Sequence, residues 1–239
     1  MRVTLVRHAT LLIELKDRRI LVEPMLDPVG ARPPVEDSPS PQPNPLVPLP
    51  MPPEEVVAGL DAVVVTHLHQ DHFDETGARL LPRDVPVFCQ PEDAESLRAR
   101  GLDARPVDRE LVWEGLRIAR TGGRHGSDEA TVRDLAPVSG FVLDGLYIAG
   151  DTVWCAEVEE ALERHRPRVA VVNGSGARFV RGGPLVMTAA QVREVVERVP
   201  TVVVVHLEAI DHCLEARAEI RAEVPEALVP EDGETLELD

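Results

Sequence analysis

Residues 61–74 read Asp-Ala-Val-Val-Val-Thr-His-Leu-His-Gln-Asp-His-Phe-Asp, a strand-forming run that passes directly into polar side chains. Three consecutive β-branched valines predict a buried strand, and it ends at His67, His69, Asp71 and His72. Polar groups left unpaired at the end of a buried strand would destabilise the fold, whereas a metal ion would satisfy imidazoles and a carboxylate. A histidine-rich surface turn is the alternative interpretation, but it explains only one or two of these residues.

The spacing of the four residues allows one loop to serve two neighbouring metal ions. His67 and His69 are two positions apart, so in extended chain their side chains point the same way. Asp71 and His72 are adjacent, so their side chains diverge. We therefore expect the loop to supply two ligands to one ion and two to a second ion.

The motif at residues 67–72, His-Leu-His-Gln-Asp-His, resembles the His-x-His-x-Asp-His signature of the metallo-β-lactamase superfamily. The resemblance extends from His8 to His206. It implies an α/β (α+β) fold, a four-layer αββα sandwich with two sheets face to face, helices outside and metal ions at one edge. Since no spare segment is large enough for a second domain, we predict a single domain over residues 1–239.

Three further strand ends supply the partners that this resemblance requires. His125 lies in the glycine-rich stretch 121–127, after a predicted strand, where the superfamily has its third histidine ligand. Asp151 lies in Gly-Asp-Thr after another strand, and a carboxylate there is expected to bridge two ions. His206 directly follows a run of four valines, as His67 follows Val63–Val65. His212, six residues further on, is the rival for this last position.

The resemblance thus implies seven ligands for two divalent ions. One ion would be bound by His67, His69 and His125, the other by Asp71, His72 and His206, and Asp151 would bridge them. A site of nitrogen and oxygen ligands favours zinc, and manganese, iron or nickel would also suit it.

Two of the ligands have expected catalytic roles, and three other residues have expected supporting roles. Asp151 would hold both ions, and Asp71 would orient the attacking water or accept its proton. His8, Asn173 and His212 are candidates to support the ligands without binding an ion.

The charge balance excludes some classes of partner. The chain has 239 residues, with 25 Lys and Arg against 42 Asp and Glu, giving a net charge of −17. Nucleic-acid binding depends on phosphate neutralisation by basic residues, so we expect a small-molecule substrate and no nucleic acid. No apolar run approaches the ~20 residues that span a bilayer. The N-terminal residues lead directly into a predicted strand, so we expect no signal peptide and a cytoplasmic enzyme.

Residues 24–53 contain 12 of the 22 prolines. Proline lacks the amide donor of a helix or a central strand, so this insert is predicted to be ordered loop or extended chain. Its apolar residues argue against a disordered linker. We expect a lid over the site or a contact between copies of the chain in a homo-oligomer.

The combined pattern predicts a dinuclear metal-dependent hydrolase of a small ester, lactone or phosphodiester, in which a water held between the ions is deprotonated and attacks. It most resembles the branch with ascorbate-phosphate lactonase and the N-acylphosphatidylethanolamine-hydrolysing phospholipase D. A di-iron redox protein and a catalytically inactive ligand-binding member are the alternatives. Two departures from that branch, Glu23 before Pro24 and the His-Leu-Glu-Ala context of His206, are expected to alter the pocket wall.

Overall fold

A computed structural model, which describes residues 1–135 and 137–239, folds into two mixed sheets. The strands of the first sheet are β1 Arg2–Arg7, β2 Thr10–Leu15, β3 Arg18–Val22, β4 Ala62–Val65, β5 Pro86–Cys89, β6 Asp103–Pro106 and β13 Thr235–Glu237. Those of the second sheet are β7 Glu110–Trp113, β8 Leu116–Thr121, β9 Gly140–Leu143, β10 Leu146–Ile148, β11 Val169–Asn173 and β12 Thr201–Val205. The spatial orders are β13-β1-β2-β3-β4-β5-β6 and β12-β11-β10-β9-β8-β7.

Seven short helices lie in the described part of the chain. They are α1 Pro53–Val56, α2 Glu75–Leu80, α3 Ala94–Ala99, α4 Glu129–Leu135, α5 Ala156–His165, α6 Ala189–Val196 and α7 Arg217–Glu223. A 3-10 turn, Pro91–Asp93, precedes α3. Residues of α1, α2 and α3 pack on the first sheet, and residues of α5, α6 and α7 pack on the second. The predicted αββα sandwich is therefore confirmed.

The central core lies between the two sheets. Alternate residues of both sheets, such as Leu5, Ile13, Phe141 and Val171, pack there with almost no exposure to solvent. β3, β4, β5 and β6 are parallel, as are β10, β11 and β12, so their carboxyl ends gather at common edges. Such strands read as continuous apolar runs because both of their faces are buried, and Val63–Val65 is one example.

Several boundaries differ from the sequence-based expectation. The sequence predicts a helix over residues 213–223, but α7 begins at Arg217, because residues 207–213 form a loop that packs beside the polar edge of the sheets. The acidic C-terminal tail contains β13, which pairs antiparallel with β1. Helix α4 was not predicted, since its mixed sequence has no apolar stripe and none of its described residues is buried.

The proline-rich insert is held against the body of the protein by two buried polar residues. The fully buried Arg7 donates hydrogen bonds to the carbonyls of Val47, Met25 and Asp27. The side chain of Asn44 pairs twice with Asp211, donating to its carboxylate at 2.9 Å and accepting from its backbone N–H at 3.0 Å. These contacts tie the insert to β1 and to the loop after β12.

Candidate metal centre

Two clusters of metal-binding side chains lie at the carboxyl-terminal edge of the strands. In the first, ligand atoms of His67, His69 and His125 all lie within 4.8 Å of one another. His67 and His69 follow β4, whereas His125 follows β8 of the other sheet. The face-to-face packing of the sheets therefore brings together residues that are almost 60 positions apart.

The second cluster consists of His8, Asp71, His72 and His206, whose ligand atoms also lie within 4.8 Å of one another. Nε2 of His206 is 3.5 Å from Oδ2 of Asp71, and Nε2 of His72 is 3.9 Å from the same oxygen. His206 directly follows β12 and is fully buried. The structure places His212, its predicted rival, outside this cluster.

Asp151, which follows β10, lies between the two clusters. Its Oδ2 is 3.4 Å from Nε2 of His125 and 4.0 Å from Nε2 of His67. Its Oδ1 is 3.2 Å from Nε2 of His72 and 3.4 Å from Nε2 of His206. Each carboxylate oxygen therefore faces a different cluster.

In several of these histidines, the ring nitrogen Nδ1 contacts a polar group outside the cluster. Nδ1 of His67 contacts the Thr66 hydroxyl at 2.9 Å, Nδ1 of His125 contacts the carbonyl of Leu185 at 3.0 Å, and Nδ1 of His206 contacts the Ser175 hydroxyl at 3.2 Å. Such contacts fix the ring orientation and leave Nε2 to face the cluster. Sequence reasoning assigned no role to Thr66 or Ser175, although both lie at strand ends next to predicted site residues.

Glu23 was expected at the pocket wall, and this expectation is wrong. The residue is buried, and its carboxylate accepts from the backbone N–H of Thr66 at 2.7 Å and contacts Nδ1 of His72 at 2.9 Å. It therefore orients His72 from behind. Glu208, from the altered sequence around His206, pairs with Arg217 and is not among the residues that line the cavity.

Asn173 lies where the sequence predicted a supporting residue. At the end of β11, its side-chain amide donates to Oδ1 of Asp151 at 2.6 Å. His8 lies inside the second cluster, with Nε2 3.5 Å from Oδ2 of Asp71. His212 is 6.3 Å from His206, measured between ring centroids, and lines a cavity beside the clusters.

The protonation of the site suits cation binding. Burial lowers the pKa of His67 and of His8 well below the ordinary value, so both imidazoles stay neutral, the form that binds metals. Burial would also lower the pKa of His72, but the carboxylates of Asp151 and Asp71 outweigh it and raise that pKa strongly. The carboxylates thus attract positive charge into the site, which a metal ion would supply.

Unpartnered buried atoms point to the same conclusion. Within the described part of the chain, Nε2 of His72, Nε2 of His206 and both ring nitrogens of His8 are buried without a hydrogen-bond partner. Leaving a buried polar atom unpaired costs about 1–3 kcal/mol. Nitrogen and carboxylate donors that converge in this way fit divalent metal ions of the zinc type.

A cavity of about 510 Å³ opens onto the clusters. Asp71, His69, His125 and Asp151 form its floor. Its walls are largely apolar, and they comprise Arg32, Pro33, Pro34, Val35, Glu36, Asn44, Leu68, Gln70, Leu135, Phe179, Leu185, Ile210 and His212. The proline-rich insert therefore supplies one wall of the cavity, which is large enough for a small organic molecule.

Known proteins resemble this chain over most of its length. The chain matches the model of the beta-lactamase superfamily domain over residues 18–207. It is 34% identical to the UPF0173 protein YddR of Bacillus subtilis, over 98% of this chain and 99% of that protein. A UPF0173 metal-dependent hydrolase of Methanocaldococcus jannaschii is 29% identical over 59% of this chain and 64% of its own length.

Two solved structures are similar over the whole chain. An isothiocyanate hydrolase from Delia radicum gut bacteria is 34% identical with a TM-score of 0.93, covering 100% of this chain and 99% of its own. A possible metal-dependent hydrolase from Veillonella parvula is 29% identical with a TM-score of 0.95 and the same coverage.

These similarities define the class of protein as a metal-dependent hydrolase with the metallo-β-lactamase fold. Within the beta-lactamase superfamily, the chain belongs to the UPF0173 family. Among the residues that the structure describes, no helix is both long and apolar enough to cross a membrane.

Proposed function

We propose that this hydrolase uses two divalent ions and acts on a small organic electrophile, with an isothiocyanate as the substrate class to test first. The position of Asp151 supports the dinuclear site, because its Oδ2 lies 3.4 Å from His125 while its Oδ1 lies 3.2 Å from His72. A carboxylate in this position can bind one ion through each oxygen.

The proposed ligand sets follow the two clusters. His67, His69 and His125 bind the first ion, Asp71, His72 and His206 bind the second, and Asp151 binds both. Zinc suits these nitrogen and oxygen donors, and manganese, iron and nickel are the other candidates.

Divalent ions bound by these residues would lower the pKa of a water molecule and polarise the electrophile. The chain itself supplies positioning and proton transfer. Asp71 lines the cavity and its side chain is 14% exposed, so its carboxylate can take a proton from an attacking water. Asn173 holds Asp151 in place through the 2.6 Å hydrogen bond.

The isothiocyanate proposal draws on the similar hydrolase from gut bacteria and on the cavity wall. Leu68, Leu135, Phe179, Leu185 and Ile210 offer an apolar surface to the organic group of the substrate. In the reaction, the oxygen of water bonds to the central carbon, the carbon–nitrogen bond breaks and both protons go to nitrogen. The products are an amine and carbonyl sulfide.

The test is to prepare metal-free protein, reload it with Zn²⁺ or Mn²⁺ and assay it against benzyl isothiocyanate, an aryl ester, a lactone and a phosphodiester. We expect two ions per chain and metal-dependent release of amine from the isothiocyanate. Asp151→Ala should lose an ion and nearly all turnover while keeping its fold, whereas the control Asp84→Ala, at an exposed position, should match the wild type.

The outcomes separate the competing functions. Turnover of the lactone, ester or phosphodiester alone would replace the isothiocyanate with that class. Tightly bound iron with a visible absorption band would favour a redox protein. Normal turnover by Asp151→Ala would refute the bridging role, and a two-ion protein inactive on all four substrates would count against this set of substrates.

A further inference from the structure

His8 occupies an unusual position for a histidine in a turn. It lies between β1 and β2 with a backbone φ of +59°, a left-handed conformation that few non-glycine residues adopt. Its side chain is fully buried. Its ring lies 3.7 Å from that of His206, measured between centroids, and its carbonyl accepts from the backbone N–H of His206 at 2.8 Å.

The His8 ring lies against other polar groups, but they do not form hydrogen bonds with its nitrogens. Neither Nδ1 nor Nε2 of His8 has a hydrogen-bond partner in the ranges 1–135 and 137–239. A strained backbone costs about 1–3 kcal/mol, and an unpaired buried polar atom costs a similar amount. A buried imidazole with two such atoms is stabilised if a ligand binds one of them.

We propose that His8 binds the second ion directly through Nε2, as a fifth protein ligand. Its Nε2 lies 3.5 Å from Oδ2 of Asp71, and ligand atoms of His8, Asp71, His72 and His206 are all within 4.8 Å of one another. An ion between these four ligand atoms can reach all of them, and Oδ1 of Asp151 lies 3.2 Å from Nε2 of His72 and 3.4 Å from Nε2 of His206. This inference rests on the proposed dinuclear site. It adds His8 to the six residues that bind one ion each and to Asp151, which binds both.

A fifth protein ligand makes the two ions unequal. The first ion has three imidazoles and one oxygen of Asp151, which is a four-ligand set of the kind that zinc prefers. The second has three imidazoles and two carboxylates, a set suited to ions that take five or six ligands, such as Mn²⁺ or Fe²⁺. His8 therefore favours retention of the second ion over the first.

The ligands of the two proposed ions also differ in how deeply they are buried. His69 and His125 of the first cluster line the cavity, whereas His8, His72 and His206 are fully buried and lie behind it. The first ion is therefore the one that a substrate reaches from the cavity. The second ion has three fully buried imidazoles and faces the cavity through Asp71 and Asp151.

A simpler role for His8 is to orient Asp71 by a hydrogen bond, and substitutions distinguish the two roles. His8→Gln places an amide N–H near the position of Nε2, so it keeps a donor for Asp71 but is a poor ligand. His8→Phe keeps the ring volume and removes both functions. His165, a partly exposed histidine at the end of α5, gives the matched control His165→Gln.

The experiment is a Co²⁺ titration of metal-free protein, with bound ions counted after gel filtration and the visible Co²⁺ spectrum recorded. Wild type and His165→Gln should bind two ions per chain. His8→Gln and His8→Phe should bind the first ion normally and the second more than about a hundredfold more weakly, beyond the loss expected when a supporting residue is removed.

The control for folding is the circular dichroism spectrum of each variant. If His8→Gln binds the second Co²⁺ as tightly as wild type, with the same spectrum, His8 is only a hydrogen-bond donor and the proposal is overturned. If wild type itself binds a single ion, the proposed dinuclear function falls as well. The two failures are therefore distinguishable.

Discussion

The carboxylate of Glu23 contacts His72, a proposed metal ligand that lies 49 positions away along the chain. It holds Nδ1 of His72 at 2.9 Å and the N–H of Thr66 at 2.7 Å, so both oxygens are occupied. We predict that Glu23→Gln weakens binding of the second ion about tenfold to a hundredfold, because the amide must direct its NH₂ at one of two donors.

Isothermal titration with Zn²⁺ measures this change. The matched control is Glu75→Gln, since Glu75 is an exposed residue at the start of α2. Unchanged affinity in Glu23→Gln would show that the contact with His72 does not tune the ion.

A site residue could be predicted when the sequence around it forms a recognisable pattern, and not when its role depends on a contact with a distant part of the chain. His67, His69, Asp71 and His72 were predictable because they crowd into six positions after a strand. Glu23 was not, because a lone carboxylate before a proline gives no sign of which imidazole it will meet. Its role depends on the parallel pairing of β3 with β4, which sets the two strand ends side by side.

At the scale of elements, the proline-rich insert and the loop after β12 form one unit. The carboxylate of Asp211 accepts from the Asn44 side chain at 2.9 Å and from the backbone N–H of Gln42 at 3.2 Å. The next residue, His212, lines the cavity. The contact therefore ties two cavity walls together.

We predict that Asn44→Ala destabilises the fold by about 2 kcal/mol, because it leaves buried polar groups of Asp211 unpaired. It should also speed proteolytic cleavage within residues 24–53 and raise KM more than it lowers kcat. Urea unfolding and limited proteolysis measure the first two effects. Gln42→Ala is the control, since it keeps the backbone donor, and equal cleavage rates in the two variants would contradict the prediction.

Periodicity predicted most elements and failed where the pattern is short or polar. The valine runs gave β4 and β12, because parallel strands buried on both faces are continuously apolar. β13 was missed because Thr235–Glu237 has a single partly buried residue, and only its pairing with β1 makes it a strand. The sandwich itself was inferred from the resemblance in the ligand motif rather than from strand patterns.

At the scale of the whole molecule, the clusters bind one sheet to the other. His67 and His72 come from the first sheet, whereas His125, Asp151 and His206 come from the second. An ion that binds only the folded protein stabilises it by about 2.7 kcal/mol at a hundredfold excess over Kd. We therefore predict that chelation lowers Tm by about 5–10 °C, since 1 kcal/mol shifts Tm by ~2–4 °C in a protein of this size.

Scanning calorimetry with and without EDTA measures this loss. Adding back Zn²⁺ or Mn²⁺ should restore Tm, while Mg²⁺ should not, because it prefers an all-oxygen octahedral site. A chelated protein that melts at the same temperature would show that the ions contribute nothing to the stability of the sandwich.

The two ions should also respond differently to pH. Burial lowers the pKa of His67, His69 and His125, so these ligands are neutral at pH 7 without a metal ion. Burial would lower the pKa of His206 too, but the carboxylate of Asp151 outweighs it and raises that pKa to about 10. The pKa of His72 is raised in the same way. In the proposed dinuclear site, the second ion would therefore displace protons from its ligands, whereas the first ion would bind imidazoles that are already neutral.

Because metal binding competes with protons, the affinity for the second ion should rise by up to about tenfold per pH unit for each proton displaced. With His72 and His206 both protonated, we predict a steep rise between pH 6.5 and 8.5, whereas the affinity for the first ion should change little. Co²⁺ titrations at three pH values, in buffers of different ionisation enthalpy, measure both the slopes and the protons released. Equal slopes for the two ions would mean that His72 and His206 are neutral in the metal-free protein. The negative charge of Asp71 and Asp151 would then not be balanced by protonated imidazoles before the ion binds.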